Sequence, residues 1–323
     1  QEGGIKASYA DVEYELKVLS VPVEGGVERL IIYIRDVDEK LEKPEDIGIT
    51  AELKAKLREL TSQKTKLLLI CGPRRSGTTV TRFAVLRGLD AYLHVIYSIA
   101  DLADQQLINI TEFEKQPDDD LDMTLTRCER VEAEIILLDP IRDAETARTL
   151  VEHADNVTML SELRAKDAAA GVMQMVTWVE DAKRVAETIS GVLSQKLVRT
   201  LCSQCKEAYK PNPQLLKKVG LSSEETPVLF RRSRPPTEPL PKGETWEPCS
   251  KCQDRGYFGR TAIFELIELN DSIQELIASG ANAEALKARA REEDMLTLHK
   301  DSMRLVSNGT TSLEELQRVF KSG

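Results

Sequence analysis

An α/β fold built on a mostly parallel sheet, covered by helices on both faces, is what the sequence predicts, and three observations predict it. Between Lys66 and Arg199 short apolar runs of strand length alternate with helix-like stretches, the pattern of strands joined by helical crossovers. Four of these runs, Leu67–Ile70, His94–Ile99, Ile135–Leu138 and Val157–Leu160, have the length and composition of buried strands. The first of them breaks into a loop bracketed by Gly72 and Gly77, and Thr78–Arg87 then reads as a helix. Strand, glycine-bracketed loop and helix in that order are the setting of a phosphate-binding loop.

The elements follow in order. Ile5–Ser8, Glu13–Val18 and Arg29–Ile34 alternate as strands, with Glu24-Gly25-Gly26 as a turn. Residues 1–36 are too few to fold alone and are expected to be the end of an α/β domain. The chain starts at Gln1, not Met, and is expected to belong to a longer protein. Residues 37–65 read as a charged linker followed by a helix, Ala51–Leu60, capped by Thr50. Residues 66–199 are the phosphate-loop core. Within them Glu114–Asp122 lacks apolar periodicity and reads as a solvated acidic connection, not a metal site. Residues 200–262 carry two cysteine pairs around a Pro- and Arg-rich insert, Arg231–Pro241, expected to be mobile. Residues 263–323 are helical, and Ser312 with Glu315 predicts a capping box on the last helix.

Composition narrows the function classes. A net charge of −10 argues against a general nucleic-acid binder, and 41% hydrophobic with 30% charged residues is ordinary for a soluble protein. No apolar run reaches the length of a membrane span. Of six cysteines, Cys71 and Cys128 sit in apolar or helical contexts and read as buried free thiols. The other four form two C-x-x-C pairs, Cys202/Cys205 and Cys249/Cys252, which suits a reducing compartment, hence the cytoplasm. Two such pairs fit a tetrahedral four-cysteine zinc site of structural type; redox dithiols and unligated thiols are the alternatives. His94, His153 and His299 are scattered and read as ordinary core or surface residues.

The loop itself departs from its pattern. In G-x-x-x-x-G-K-[ST] the Lys holds the β/γ-phosphate oxygens and the hydroxyl takes Mg²⁺. Here Gly72 and Gly77 have the right spacing and Thr79 supplies the hydroxyl, but Thr78 stands where the Lys should be. Arg74 and Arg75 inside the loop offer positive charge to an anion, and Asp139, after four apolar residues, is placed to hold Mg²⁺ through its water shell.

Several motifs in one order carry a resemblance. LVRTLCSQCK (197–206), CSKCQDRGYFGRTAIFELIEL (249–269), NGTTSLEELQRV (308–319) and QEGGIKASYADVEYELKVLSVP (1–22) resemble segments of the type II secretion and type IV pilus assembly ATPases, the GspE/PilB family. The resemblance implies a RecA-like hexameric motor that drives pilin or pseudopilin assembly from the cytoplasmic face of the inner membrane, with a zinc segment at the paired cysteines. It also exposes departures. The family's phosphate-loop Lys is Thr78, and its water-polarising Walker B Glu is Pro140, while Ile141, Arg142 and Asp143 match. Its acidic Glu-Asp pair is Ala100-Asp101, and its histidine-box His is Arg164. Two phosphate-facing arginines of the family align with Lys17 and Tyr33.

Phosphoryl transfer is positioning and electrostatics, and losing one donor aimed at developing charge commonly costs about 10²–10³ in rate. The expectation is therefore a catalytically degenerate member, with no catalytic residue at Thr78, Pro140, Ala100 or Arg164. It would act as a structural or regulatory component of a secretion or pilus machine, beside an active paralogous ATPase and inner-membrane platform proteins. No nucleic acid is expected, and membrane association only through partners. An active motor, or a nucleotide sensor binding ATP and Mg²⁺ weakly through Gly72, Arg74, Arg75, Gly77, Thr78, Thr79 and Asp139 without hydrolysis, are the alternatives.

Overall fold

In a computed structural model of the chain, residues 2–9, 12–23, 25–37, 41, 43–62, 65–89, 92–100, 102, 107, 109–222, 224, 226–236 and 246–321 are described. They fall into two compact units, 1–42 and 43–323. In the first, β1 (Glu2–Tyr9), β2 (Val12–Val23) and β3 (Val27–Asp36) form an antiparallel meander. The turn between β2 and β3 uses positive φ at Gly25 and Gly26, as the sequence predicts; Glu24 lies outside the described residues. Lys17 and Tyr33 stand directly opposite each other on β2 and β3.

The second unit opens with a 3-10 turn, Pro44–Ile47, and α1 (Ala51–Ser62), whose first turn is capped when Thr50 Oγ1 accepts the Leu53 N–H at 3.2 Å. Then come β4 (Leu67–Gly72), α2 (Thr78–Gly88), β5 (Ile96–Ser98), β6 (Ile110–Glu112) and α3 (Leu121–Arg130). These are followed by β7 (Ile135–Leu137), α4 (Ala144–His153), β8 (Thr158–Arg164), α5 (Ala168–Val179), α6 (Ala182–Thr188) and β9 (Ile189–Leu201). A small hairpin, β10 (Glu207–Tyr209) and β11 (Leu229–Arg231), flanks α7 (Pro213–Val219). The chain returns as β12 (Tyr257–Glu268) and ends in α8 (Asp271–Ala278), α9 (Ala283–Glu292), α10 (Leu298–Ser307) and α11 (Leu313–Lys321).

Among the described residues seven strands form one sheet, ordered β12-β9-β4-β8-β7-β5-β6, parallel except for β12, which runs antiparallel at one edge. Leu67–Ile70 of β4 are fully buried because side chains on both faces of the strand meet helices. On one face Leu53 and Leu57 of α1 pack with Phe83 and Leu86 of α2. On the other Leu125, Leu150, Val172 and Ile273 bring in α3, α4, α5 and α8. Each such side chain is worth about 1.5–3 kcal/mol of burial. No helix among the described residues is long and apolar enough to cross a membrane.

Several expectations change. Strands β9 and β12 are absent from the sequence reading, and β12 runs through its boundary at 262. The acidic run is more than a solvated connection: Asp120 caps α3 by accepting the Met123 N–H at 2.8 Å, and Asp119 pairs with Arg127. Asp122 and Glu129 flank the buried His153 at 2.9 and 2.6 Å. Burial alone would lower the His153 pKa, but those two carboxylates outweigh it and raise it. Of the insert, residues 237–241 lie outside the described residues, whereas Arg231 belongs to β11 and Arg232 and Arg234 pair with Glu314 at 2.8 and 3.1 Å. Only half of the predicted capping box forms. Ser312 Oγ accepts the Glu315 N–H at 3.2 Å, but the Glu315 carboxylate turns instead to Arg199 and Arg318 at 2.5 and 2.6 Å.

Candidate functional site

The phosphate loop leaves the sheet at its centre. Strand β4 lies between β8 and β9, so Gly72 emerges at the carboxyl ends of parallel strands, where open α/β sheets place ligands. A Cβ on Gly72 would stand 2.3 Å from Ser76 Oγ and 2.9 Å from the Gln195 carbonyl oxygen, so only glycine fits. Arg75 and Gly77 take positive φ of 65° and 85°, which turns the chain back onto α2. The buried Gln195 of β9 locks the turn by donating Nε2–H to the Ser76 carbonyl at 2.7 Å. Gly77 precedes the helix without a side-chain cap, and Arg74 and Arg75 are exposed beside it.

The chemistry around this backbone differs from the motif. Thr79 Oγ1, the hydroxyl at the Mg²⁺ position, donates to Glu162 Oε2 at 3.3 Å. Glu162 lies at the end of β8 and pairs through Oε1 with Arg82 Nε of α2 at 3.4 Å, and Arg82 Nη1 donates to the Leu138 carbonyl at 2.6 Å. Both partners are nearly inaccessible, Arg82 at 3% and Glu162 at 4% exposure. A carboxylate so buried is held by a charged partner, because an unpaired one would carry a large desolvation cost. Thr79, Glu162 and Arg82 thus lie in contact beside the loop, Thr79 at the surface and the other two buried, with Arg82 Nε and Glu162 Oε1 facing each other as an ion pair without a hydrogen bond.

The neighbouring strand ends supply the remaining positions. After β7 the Asp139 carbonyl accepts Ser161 Oγ–H at 2.8 Å, while its half-exposed carboxylate faces Lys115 Nζ at 4.0 Å. Pro140 follows with neither carboxylate nor N–H, and Asp143 caps α4 by accepting the Thr146 N–H at 2.8 Å. Arg164 stands beside Gly72 in the β4–β8 register, exposed to solvent. Ala100 is buried, and Asp101 lies outside the described residues. Gly72, Thr78, Thr79, Asp139, Pro140 and Arg164 therefore lie at or just beyond the carboxyl ends of the central strands. The sequence reading missed Arg82, whose signal is an arginine three residues after Thr79 on a helix otherwise buried there, and gave Glu162 no role.

The tetracysteine cluster forms at the end of two antiparallel neighbours. Leu201 of β9 faces Tyr257 of β12, so the C-x-x-C turn after β9 and the one before β12 arrive together although 47 residues separate Cys202 from Cys249. Cys202 Sγ lies 3.8 Å from Cys249 Sγ and Cys205 Sγ lies 3.5 Å from Cys252 Sγ, and all four sulfurs lie within 4.8 Å of one another. A tetrahedral zinc with Zn–S near 2.3 Å separates its sulfurs by about 3.8 Å, so the donor set fits zinc. The turns are shaped for it. Gly256 N–H points at Cys252 Sγ at 3.3 Å, and Asp254 Oδ1 accepts the Cys249 N–H at 2.9 Å. Backbone N–H groups of Cys252 and Lys251 draw the Cys249 thiol down to about 7, whereas burial pushes Cys205 and Cys252 up. Four sulfurs this close shed their protons readily only around a cation. Cys71 and Cys128 are free and buried, as the sequence predicts, and burial raises them to about 12 and about 11.

Comparisons with known proteins agree with this architecture. The chain is 30% identical over 322 residues to the type IV pilus assembly ATPase PilB of Thermus thermophilus, covering 98% of this chain and 34% of that protein. It is 28% identical to the type II secretion system ATPase E of Vibrio cholerae, covering 99% of this chain and 61% of the relative. The chain thus spans less than two thirds of the length of either. Among solved structures, the Legionella pneumophila ATPase DotB superimposes with a TM-score of 0.61 at 13% identity, covering 100% of this chain and 78% of DotB. The pilus retraction motor PilT with bound ADP gives 0.58 at 16%, covering 98% of this chain and 77% of PilT. At these identities the likeness is one of fold, that of the RecA-like ATPases. A family model described as type II/IV secretion system protein matches residues 1–318, and the chain belongs to that family.

Proposed function

We propose that this member of the secretion-system family is a catalytically degenerate subunit, acting as a structural or regulatory component of a type II secretion or type IV pilus machine. The observation that carries the reading is the contact of the Thr79 hydroxyl with Glu162, itself ion-paired with Arg82, beside the positions where Thr78 and Pro140 stand. In an active phosphate loop the hydroxyl binds Mg²⁺, a Lys neutralises the β/γ oxygens and a carboxylate orients water. Here the hydroxyl already serves a carboxylate that a buried guanidinium neutralises, and neither the Lys nor the water-orienting Glu is present. The backbone cradle remains, but nothing in it counters the charge that develops on the transferred phosphoryl group.

In this reading Cys202, Cys205, Cys249 and Cys252 hold one structural zinc and staple residues 200–262 to the sheet. The metal has four protein ligands and no open position, so it supplies cohesion and no catalysis. The partners are other subunits of the machine, an active paralogous ATPase and inner-membrane platform proteins among them, reached from the cytoplasmic side. Titration with ATP in the presence and absence of Mg²⁺ tests the reading. Binding should be weak or nil, and Mg²⁺ should not tighten it, because Thr79 is engaged by Glu162. A marked gain in affinity with Mg²⁺ would refute it.

A further inference from the structure

A cavity of about 400 Å³ opens on the side of the molecule formed by α9, the start of α10 and the end of α11, and includes no residue of the phosphate loop. Its backbone frame is fixed: Leu266 of β12 donates its N–H to the Leu296 carbonyl at 2.9 Å, which seats the segment before α10 along the sheet edge. The volume lies in the range of small-ligand pockets, roughly 300–1,000 Å³.

The charges lining it are unequally committed. Asp167 is paired with Lys287 at 3.0 Å, and Glu265 Oε1 accepts the Ala168 N–H at 3.0 Å. Burial raises the Glu265 pKa, which weakens it further as an anion. Lys166, Lys196 and Arg291 line the same cavity, and among the described residues no carboxylate pairs with any of them. Lys196 instead lies over the Phe320 ring, 5.6 Å from its centroid. In a chain of net charge −10, three uncompensated cations converging on one concavity do not follow from composition. Between them Ile267, Leu296 and Leu298 give the cavity an apolar floor, with Phe320 at the rim.

We propose that this cavity is a binding site for a small polyanion, a compound bearing phosphate or several carboxylates on a compact body, held by Lys166, Lys196 and Arg291 over the apolar floor. Several cations around one concavity match more than one negative charge, and the floor accepts the carbon or ring portion. The site is independent of turnover at the phosphate loop and holds whether or not that loop binds nucleotide.

Calorimetric titration of the whole chain with pyrophosphate and, separately, with citrate tests this and separates the phosphate from the carboxylate source. One of the two should bind with a single site. Arg291→Glu, on an exposed position of α9, should weaken that binding by about tenfold or more without changing the melting temperature. Arg74→Ala with Arg75→Ala should leave it unchanged. Absence of binding by both probes, insensitivity to Arg291→Glu, or a loss that follows Arg74 and Arg75 instead would each overturn the proposal.

Discussion

One strand serves two ends of this molecule, and they are held by different things. In its middle β9 offers Gln195 to hold the phosphate loop; just past its end it delivers Cys202 to the tetracysteine cluster. At the cysteine end the functional atoms would be the structure, since a metal held by the four sulfurs would fasten the two turns that carry them. At the loop end function and structure separate. The backbone is held by Gly72, Gly77 and Gln195, which the packing requires, while the side chains that would do chemistry are required by nothing in the fold. At the Lys and Glu positions of the motif stand Thr78 and Pro140, with the Glu162–Arg82 pair beside them. On the proposed reading, a phosphate loop can remain as a connection after its chemistry has gone, whereas a metal knuckle cannot.

The sharpest way to break that contrast is at the cysteines. Cys249→Ser should release the metal and loosen residues 200–262 while the sheet stays folded. The apparent binding free energy of structural zinc sites is about 10–16 kcal/mol, so the effect should be large. Metal analysis and hydrogen exchange of the variant read it out. Protein purified without chelator under reducing conditions that carries no zinc would contradict the assignment.

Next in size is the ion pair under the loop. Glu162→Ala removes the carboxylate that faces the buried Arg82 guanidinium and should destabilise the core by about 3–5 kcal/mol in denaturant unfolding. A change below about 1 kcal/mol would mean that the pair does not hold the loop as described.

A smaller effect sharpens the account of β9. Burial alone would raise the Glu315 pKa, but Arg318 and Arg199 pull it down to about 2. A depressed carboxylate contributes stability that is present above its unfolded value of about 4.3 and is lost as pH falls toward its folded one. With both arginines about half exposed, the contribution is on the order of 1–2 kcal/mol. Glu315→Gln should flatten the acid limb of stability between about pH 4.5 and 2. An unchanged limb would place the acid sensitivity elsewhere.

These regions were unequally legible in the sequence. The cysteine spacing and the glycine-bracketed loop could be read directly, because both are local patterns with local causes. The Glu162–Arg82 pair could not, since its members lie on different elements and meet only through the parallel β4–β8 register. Strands β9 and β12 were missed because polar residues interrupt their apolar runs. Each of those residues has a tertiary reason: Gln195 bonds the loop, Arg199 bonds Glu315, and Glu265 bonds the start of α5. Polar residues inside a buried strand thus marked its contacts, which only the fold reveals.

The most direct measurement is ATP turnover by the purified chain with Mg²⁺, alongside Thr78→Lys. Neither protein should exceed background, because restoring the Lys leaves Pro140 without a carboxylate and Thr79 bound to Glu162. Turnover of about one per second, within the ordinary enzyme range and abolished by Thr79→Ala, would contradict the degenerate-core reading.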